Sequence, residues 1–235
     1  MTSVTDADVD QFAQTQLALD RAADGYARAT IGEASEACLS GRRILSHIGR
    51  RIDRLAEVKP RLPRLAAFCD GALLPTLDRF EREARTAYAD LGLDFDADIP
   101  ESRRTLIVSD MGAHNALRAP DGTLYLLDFE YFGWDDPLTS VANFVLHPSM
   151  QLSERQARSF TTTVLGSSDA AESGARLRAL MPLYALRWCT IILGEFLPER
   201  WRHRRGSGAE MGSWDETRRA QLDKAEALLA RFWTA

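Results

Sequence analysis

Lysine is scarce in this sequence, and the overall charge argues against two classes of partner. The chain has 235 residues with 29 Lys or Arg against 34 Asp or Glu, and its only lysines are Lys59 and Lys224. A net charge of −5 provides no global positive field, so we expect neither nucleic acid nor an anionic membrane as a partner. The longest apolar run, around residues 189–193, is too short to span a bilayer.

Cysteine is equally scarce, and its distribution indicates a reducing compartment. The three cysteines are odd in number, widely spaced and set among apolar neighbours, without the paired spacing of a zinc site; they are Cys38, Cys69 and Cys189. This pattern predicts reduced thiols in the core. Because the polar, acidic start of the chain is also unlike a secretory signal, we expect a cytoplasmic protein.

Hydrophobic periodicity divides the chain into three parts. Residues 1–104 and 151–235 carry apolar residues at helical spacing. Between them, within 105–150, short apolar runs flank the turn signal Pro120-Asp121-Gly122 and predict a β-hairpin. We therefore predict an α+β fold that is mostly α-helical, built as a single unit over 1–235 with one small β element in the middle. Linkers are expected at 94–102 and in the Arg/Gly/Ser-rich stretch 202–212.

Local signals also predict where helices begin and where one is interrupted. Ser153 with Gln156, and Ser213 with Glu216, have the spacing of helix caps and predict helix starts. Pro182 is expected to split the helical segment 170–197.

Polar residues that an ordinary hairpin does not need are concentrated around this β element. Asp110 follows the first strand, Asn115 opens the hairpin, and Asp128 closes its second strand. The hairpin ladder should bring Asn115 and Asp128 together, with Asp110 on the adjoining loop. Two carboxylates without a nearby Lys or Arg repel each other unless a cation lies between them. Oxygen-only ligands suit a hard cation such as Mg²⁺.

Each of these residues also has a plain structural interpretation. Asp110 could cap a turn, and Asn115 could form an Asx-turn. His114 could contact a phosphate, although a loop histidine beside acidic groups is more often structural. Asp136, which precedes Pro137, has the position of a helix N-cap.

Taken together, the residues resemble a known family. Asp110 with Asn115 five residues later, then an apolar hairpin, then Asp128-Phe129 is similar to the catalytic core of the aminoglycoside phosphotransferase and choline kinase superfamily. That superfamily is related to protein kinases and their D-x-x-x-x-N and D-F-G motifs. The run from Asp128 to Pro137 strengthens the resemblance, which is strong over about residues 106–148 and looser over the flanking helices.

The resemblance implies a fold, cofactors and residue roles. It implies a kinase-like C-terminal lobe whose catalytic loop and metal-binding hairpin lie in 105–150. Asp110 would orient or deprotonate the acceptor hydroxyl, and Asn115 and Asp128 would hold Mg²⁺ on the phosphates of ATP. The acceptor would be a small molecule with a hydroxyl group, such as an aminoglycoside, a sugar or an amino alcohol.

The sequence departs from the family pattern in three places. Val108-Ser109, not His-Gly, precedes Asp110, so the loop must be braced by something else. Ser140 stands where the family has an Asp in the following helix. The largest departure is that residues 1–104 contain no glycine-rich loop between strands and no strand lysine, and Gly206-Ser207-Gly208 follows no predicted strand. We therefore expect only the C-terminal lobe, with the N-terminal β lobe absent.

Three functional interpretations follow from these observations. The first is a phosphotransferase-family protein that is inactive as this chain alone, its other lobe encoded upstream, supplied by a partner chain, or lost. The second is a non-catalytic pseudokinase lobe that acts as a binding module. The third is a helical interaction protein whose hairpin has no chemical role.

Overall fold

The computed structural model describes residues 4–23, 25, 30–166, 170–206 and 213–232. Helices account for most of this part of the chain. They are α1 (Asp6–Ala23), α2 (Gly41–Val58), α3 (Pro63–Phe68), α4 (Leu74–Asp90), α5 (Pro137–Leu146), α6 (Glu154–Leu165), α7 (Ala170–Ile192), α8 (Pro198–Gly206) and α9 (Trp214–Ala230), with short helical turns at Lys59–Arg61, Cys69–Leu73, Glu101–Arg103, Ala113–Asn115 and Leu193–Phe196. Most of the stretch 202–212, expected to be a linker, lies outside the described residues.

The β structure consists of two antiparallel pairs. The strands are β1 (Thr105–Ile107), β2 (Ala116–Arg118), β3 (Leu124–Leu126) and β4 (Gly133–Asp135). Strands β2 and β3 form the hairpin that the sequence predicts, while β1 pairs with β4, a strand that the sequence did not indicate. With its short strands and many helices, the described part of the chain has the mostly helical α+β fold that was predicted.

Several helices begin at side chains that satisfy free backbone N–H groups. Ser153 with Gln156, and Ser213 with Glu216, form reciprocal capping boxes. The Asp136 side chain accepts a hydrogen bond from the Leu138 N–H at 2.9 Å and so caps α5. These starts confirm the capping signals in the sequence.

Helix α7 runs through the centre of the molecule. It packs against α2, α4, α5 and α9, and residues such as Leu183, Tyr184 and Leu186 are fully buried. The prediction that Pro182 splits this segment is wrong, because α7 continues through it. Packing on several sides outweighs the local cost of one missing backbone hydrogen bond.

Helix α1 holds the β structure in place through polar side chains. Gln11 accepts from the Leu124 N–H at 3.0 Å and donates to the Gly122 carbonyl at 3.1 Å. The buried Gln16 donates to the Leu106 carbonyl at 2.9 Å and accepts from Ser140 Oγ at 2.8 Å. Ser140, where the family pattern has an Asp, therefore links α5 to α1.

Within the described part of the chain, one helical segment is long and apolar enough to cross a membrane by its length and composition. This is Ala171–Phe196, and 67% of its most apolar window is buried inside the protein. A core helix passes the same test, and the packing of α7 on four other helices fits that explanation.

Candidate active site

Asp110 lies in the loop that follows β1, and several neighbours hold its side chain. The Asn115 Nδ2 donates to both the carboxylate Oδ2 and the backbone carbonyl of Asp110, each at 3.1 Å. The Nε2 of His114 is 3.2 Å from Asp110 Oδ1, and the Nε2 of His147 is 3.5 Å from the same oxygen. The structure thus brings together two of the three predicted site residues, Asp110 and Asn115, and adds two histidines.

The two histidines form a stacked pair between Asp110 and a serine. Their ring centroids are 4.2 Å apart, with the rings within 8° of parallel. On the side away from Asp110, Ser149 Oγ lies 3.1 Å from His114 Nδ1 and 2.7 Å from His147 Nδ1. The Ser149 backbone N–H also donates to His147 Nδ1 at 3.2 Å. Since a backbone N–H can only donate, that Nδ1 accepts, and the ring proton of His147 lies on Nε2, facing Asp110.

The histidine contacts control the ionisation of Asp110. Hydrogen bonds from His114, and to a lesser extent from His147, hold the pKa of the Asp110 carboxyl well below its usual range. Partial burial of the carboxyl acts in the opposite direction. Asp110 is therefore ionised throughout the neutral pH range. A carboxylate with so low a pKa is a weak proton acceptor but a good hydrogen-bond acceptor.

Other residues brace the loop where the family's His-Gly is missing. The Asn143 Nδ2 on α5 donates to the Ser109 carbonyl at 2.9 Å, and Ser109 Oγ donates to the Tyr131 carbonyl at 3.0 Å. His147, at the end of the same helix, packs edge-on against Trp188 at 4.7 Å. Helix α5 thus takes over the bracing.

Asp128 lies at the end of the hairpin next to Asn115. The N–H of the preceding Leu127 donates to the Asn115 carbonyl at 2.8 Å, which extends the β2–β3 ladder by one pair. Asp128 itself has φ of +60°, a left-handed conformation that is uncommon for a residue with a side chain. Such strained positions cluster at functional sites. Its side chain is exposed and forms no hydrogen bond or ion pair with the described residues.

Two groups of side chains are candidates for holding a metal ion. The first group is Asn115 Oδ1 with the Asp128 carboxylate, which together offer only oxygen ligands. The Asn115 Nδ2 donates to Asp110, so the Asn115 Oδ1 is left to bind a cation. This donor chemistry fits Mg²⁺. The ligand atoms of Asp110, His114 and His147 also lie within 4.8 Å of one another. However, the proton on His147 Nε2 and the parallel rings, which direct their nitrogens side by side, favour a hydrogen-bonded network in that second group.

A cavity of about 420 Å³ opens beside Asp110. Its walls come from α2 and the segment before it, the loop after β1, the segment between β3 and β4, and helices α5, α7 and α8. The lining includes Glu36, Arg51, Tyr131, Arg187, Trp188 and Arg200. No short sequence pattern predicts this wall or the position of His147, because the residues lie far apart along the chain.

Comparison with known proteins shows a likeness of fold. No family model and no curated protein matches the sequence. Among solved structures, the choline kinase LicA from Streptococcus pneumoniae aligns at 18% identity with a TM-score of 0.52, covering 96% of this chain and 65% of that one. A choline/ethanolamine kinase family protein from Mesorhizobium loti aligns at 15% identity and TM-score 0.54, covering 97% and 65%.

An ethanolamine kinase from Plasmodium vivax gives a similar result, with 11% identity, a TM-score of 0.52 and coverage of 95% of this chain and 61% of that chain. The chain therefore spans less than two thirds of the length of these structures. Partial coverage of this kind fits the prediction of a single kinase-like lobe. The chain therefore has a mostly helical, choline kinase-like fold.

Proposed function

We propose that this chain is the acceptor-binding and metal-binding lobe of a cytoplasmic phosphotransferase that transfers a phosphoryl group from ATP to a hydroxyl of a small molecule. The observation that carries the proposal is the junction of Asp110, Asn115 and Asp128. Asn115 donates to Asp110 at 3.1 Å and, through the ladder, stands beside the strained Asp128. The likeness of fold to choline and ethanolamine kinases supports it.

Each residue has a role that its surroundings suit. Asp110, held ionised, accepts a hydrogen bond from the acceptor hydroxyl and orients its oxygen, which is most of what a kinase aspartate must do in a transfer governed by positioning. His114 and His147 keep that carboxylate in place. Asn115 and Asp128 would hold Mg²⁺, which when bound neutralises charge on the transferring phosphoryl group.

Neither of the two lysines lies on a strand, where kinases place the lysine that contacts the phosphates of ATP. Lys59 is ion-paired with Asp70 at 2.7 Å, and Lys224 lies on α9. The loss of one electrostatic contact realised in the transition state costs roughly 10²–10³ in rate. We therefore expect this chain alone to transfer phosphate at close to the background rate, and a nucleotide-binding lobe, from the same gene or a partner chain, to be needed for activity.

The exposed apolar side chains give such a lobe a surface to cover. Among the residues that the structure describes, six large apolar side chains are exposed, and five of them lie on the hairpin and the segment after it: Leu117, Tyr125, Leu127, Phe129 and Tyr131. Concentrated exposure of this kind is typical of an interaction surface.

Binding of Mg²⁺ and ATP tests the proposal without requiring turnover. We expect isothermal titration of the purified chain to detect weak ATP binding that is mediated by the metal ligands, that depends on Mg²⁺, and that Asp128→Asn abolishes. Asp53→Asn, which removes an exposed carboxylate from α2, is the matched control and should bind as the native chain does. If ATP fails to bind with Mg²⁺ present, or if Asp128→Asn has no effect, the binding-module interpretation replaces this one.

A further inference from the structure

The cavity beside Asp110 carries more positive than negative charge. Three arginines line it, Arg51, Arg187 and Arg200, against two carboxylates, Glu36 and Asp110. Asp110 is already engaged by two histidines and Asn115. The charge that a ligand meets on the remaining wall is therefore set by the arginines and Glu36.

Glu36 does not neutralise the arginines around it. Its carboxylate is shared by Arg51 and by Arg187, whose Nη2 donates to Glu36 Oε2 at 3.1 Å. One negative charge between two guanidinium groups leaves a net charge of about +1. Glu36 also has φ of +60°, a strained backbone conformation of the kind that clusters at functional sites.

Arg187 connects this charged wall to the reacting end of the cavity. It is only 5% exposed, and its Nη1 donates to Asn143 Oδ1 at 3.2 Å while Asn143 donates to the Ser109 carbonyl. The guanidinium is thus two hydrogen bonds away from the residue before Asp110. Its Nε–H meets no acceptor among the described residues, so its hydrogen-bonding capacity is only partly used.

Arg200 completes the wall on the solvent side. It lies on α8, its side chain is exposed, and within the described part of the chain it has no acidic partner. A cation at the open edge of a cavity attracts anions and repels cations. Trp188 and Tyr131 also line the cavity, and aromatic rings favour a quaternary ammonium, but here that ligand would face three guanidinium groups.

We propose that the acceptor bound in this cavity is a hydroxylated anion. Its hydroxyl would lie at Asp110, and its carboxylate or phosphate group would face the arginine wall formed by Arg51, Arg187 and Arg200. The inference rests on the proposed function, since it names the substrate class of the same site. It distinguishes this chain from the choline and ethanolamine kinases whose fold it shares.

Titration with three small alcohols of different charge tests the inference in the absence of nucleotide. The probes are glycerate (−1), glycerol (0) and choline (+1), measured against the native chain by isothermal titration calorimetry. We expect glycerate to bind at least tenfold more tightly than the other two, and its affinity to fall with added salt. Equal or tighter binding of choline or glycerol, or no binding of glycerate, would overturn the proposal.

Two variants locate the anion within the cavity. Arg200→Gln should weaken glycerate binding about two- to fivefold, the range for an exposed ion pair. Arg82→Gln changes an exposed arginine of α4 that does not line the cavity, and it should leave glycerate binding unchanged. Glu36→Gln should strengthen glycerate binding, because it frees both Arg51 and Arg187 from their shared carboxylate. If it weakens binding while circular dichroism shows a folded chain, the inference is wrong. Since no nucleotide is present, failure of Mg²⁺-dependent ATP binding would count against the proposed function alone.

Discussion

The buried ion pair between Asp136 and Arg176 sets the position of α5, and we expect its disruption to be among the most destabilising single changes in the chain. The two side chains are 1% and 6% exposed. Asp136 also caps α5, which carries Asn143 and ends next to His147. Through α5, the ion pair therefore supports the residues that hold Asp110 and its loop in place.

The expected loss in the free energy of unfolding depends on which buried group each substitution leaves without a partner. Burial raises the pKa of Asp136, and the charge of Arg176 acts against that rise. Asp136→Asn keeps a side-chain cap but leaves a guanidinium unpaired in the interior, which costs about 3–5 kcal/mol. Asp136→Ala also removes the cap and should cost about 1 kcal/mol more. The double variant Asp136→Asn/Arg176→Met removes both charges, so its cost should fall well below the sum of the two single substitutions.

Urea unfolding at neutral pH, followed by circular dichroism, measures these differences. The matched control is Asp223→Asn, which breaks the exposed pair with Arg64 (3.2 Å, side chains 64% and 59% exposed) and should change stability by less than about 1 kcal/mol. A cost below about 1 kcal/mol for Asp136→Asn, or additive costs in the double variant, would refute the assignment of this pair as a buried, coupled unit.

Three further outcomes are expected. Because the pKa of Asp110 is lowered on folding, its ionised form stabilises the fold above the pKa of the unfolded chain, near 4. Asp110→Asn should therefore cost about 1 kcal/mol at pH 7, and its difference from the native chain should shrink as the pH falls below about 4; a constant difference in urea unfolding between pH 7 and pH 3 would contradict this. Gly133→Ala places a Cβ 2.5 Å from the Ala34 backbone nitrogen and should destabilise the fold by about 1–3 kcal/mol. At Gly49, an added Cβ would meet no atom within 4 Å, so Gly49→Ala should stabilise α2 by about 0.5–1 kcal/mol. Thermal unfolding of the two variants compares these effects directly. Burial raises the pKa of the Cys38 thiol to about 12, and all three cysteines are buried and free, so a thiol reagent should react with the folded chain only slowly and label three thiols in denaturant; rapid labelling of the native chain would show that the core is open.

Local sequence signals located most of the fold. Turn chemistry at Pro120-Asp121-Gly122 placed the hairpin, and capping residues placed the starts of α5, α6 and α9, because these features depend on neighbours within a few residues. Strand β4 was missed because its sequence, Gly133-Trp134-Asp135, contains no run of apolar or β-branched residues, and its partner β1 lies far from it along the chain. The continuation of α7 through Pro182 was missed because tertiary packing decided it.

The same division holds at the site. The sequence predicted that Asp110, Asn115 and Asp128 share one site because one strand and one hairpin carry all three. The structure brings the first two into contact. The roles of His147, Arg187 and Glu36 depend on where α5, α7 and the segment before α2 meet, and no short-range pattern in the chain encodes that meeting. The sequence by itself determined a mostly helical chain with an acidic cluster on a hairpin. The tertiary structure decided which side chains neutralise, brace and surround that cluster. The reason is that charged residues separated by up to 151 positions in the chain interact only after the helices have packed.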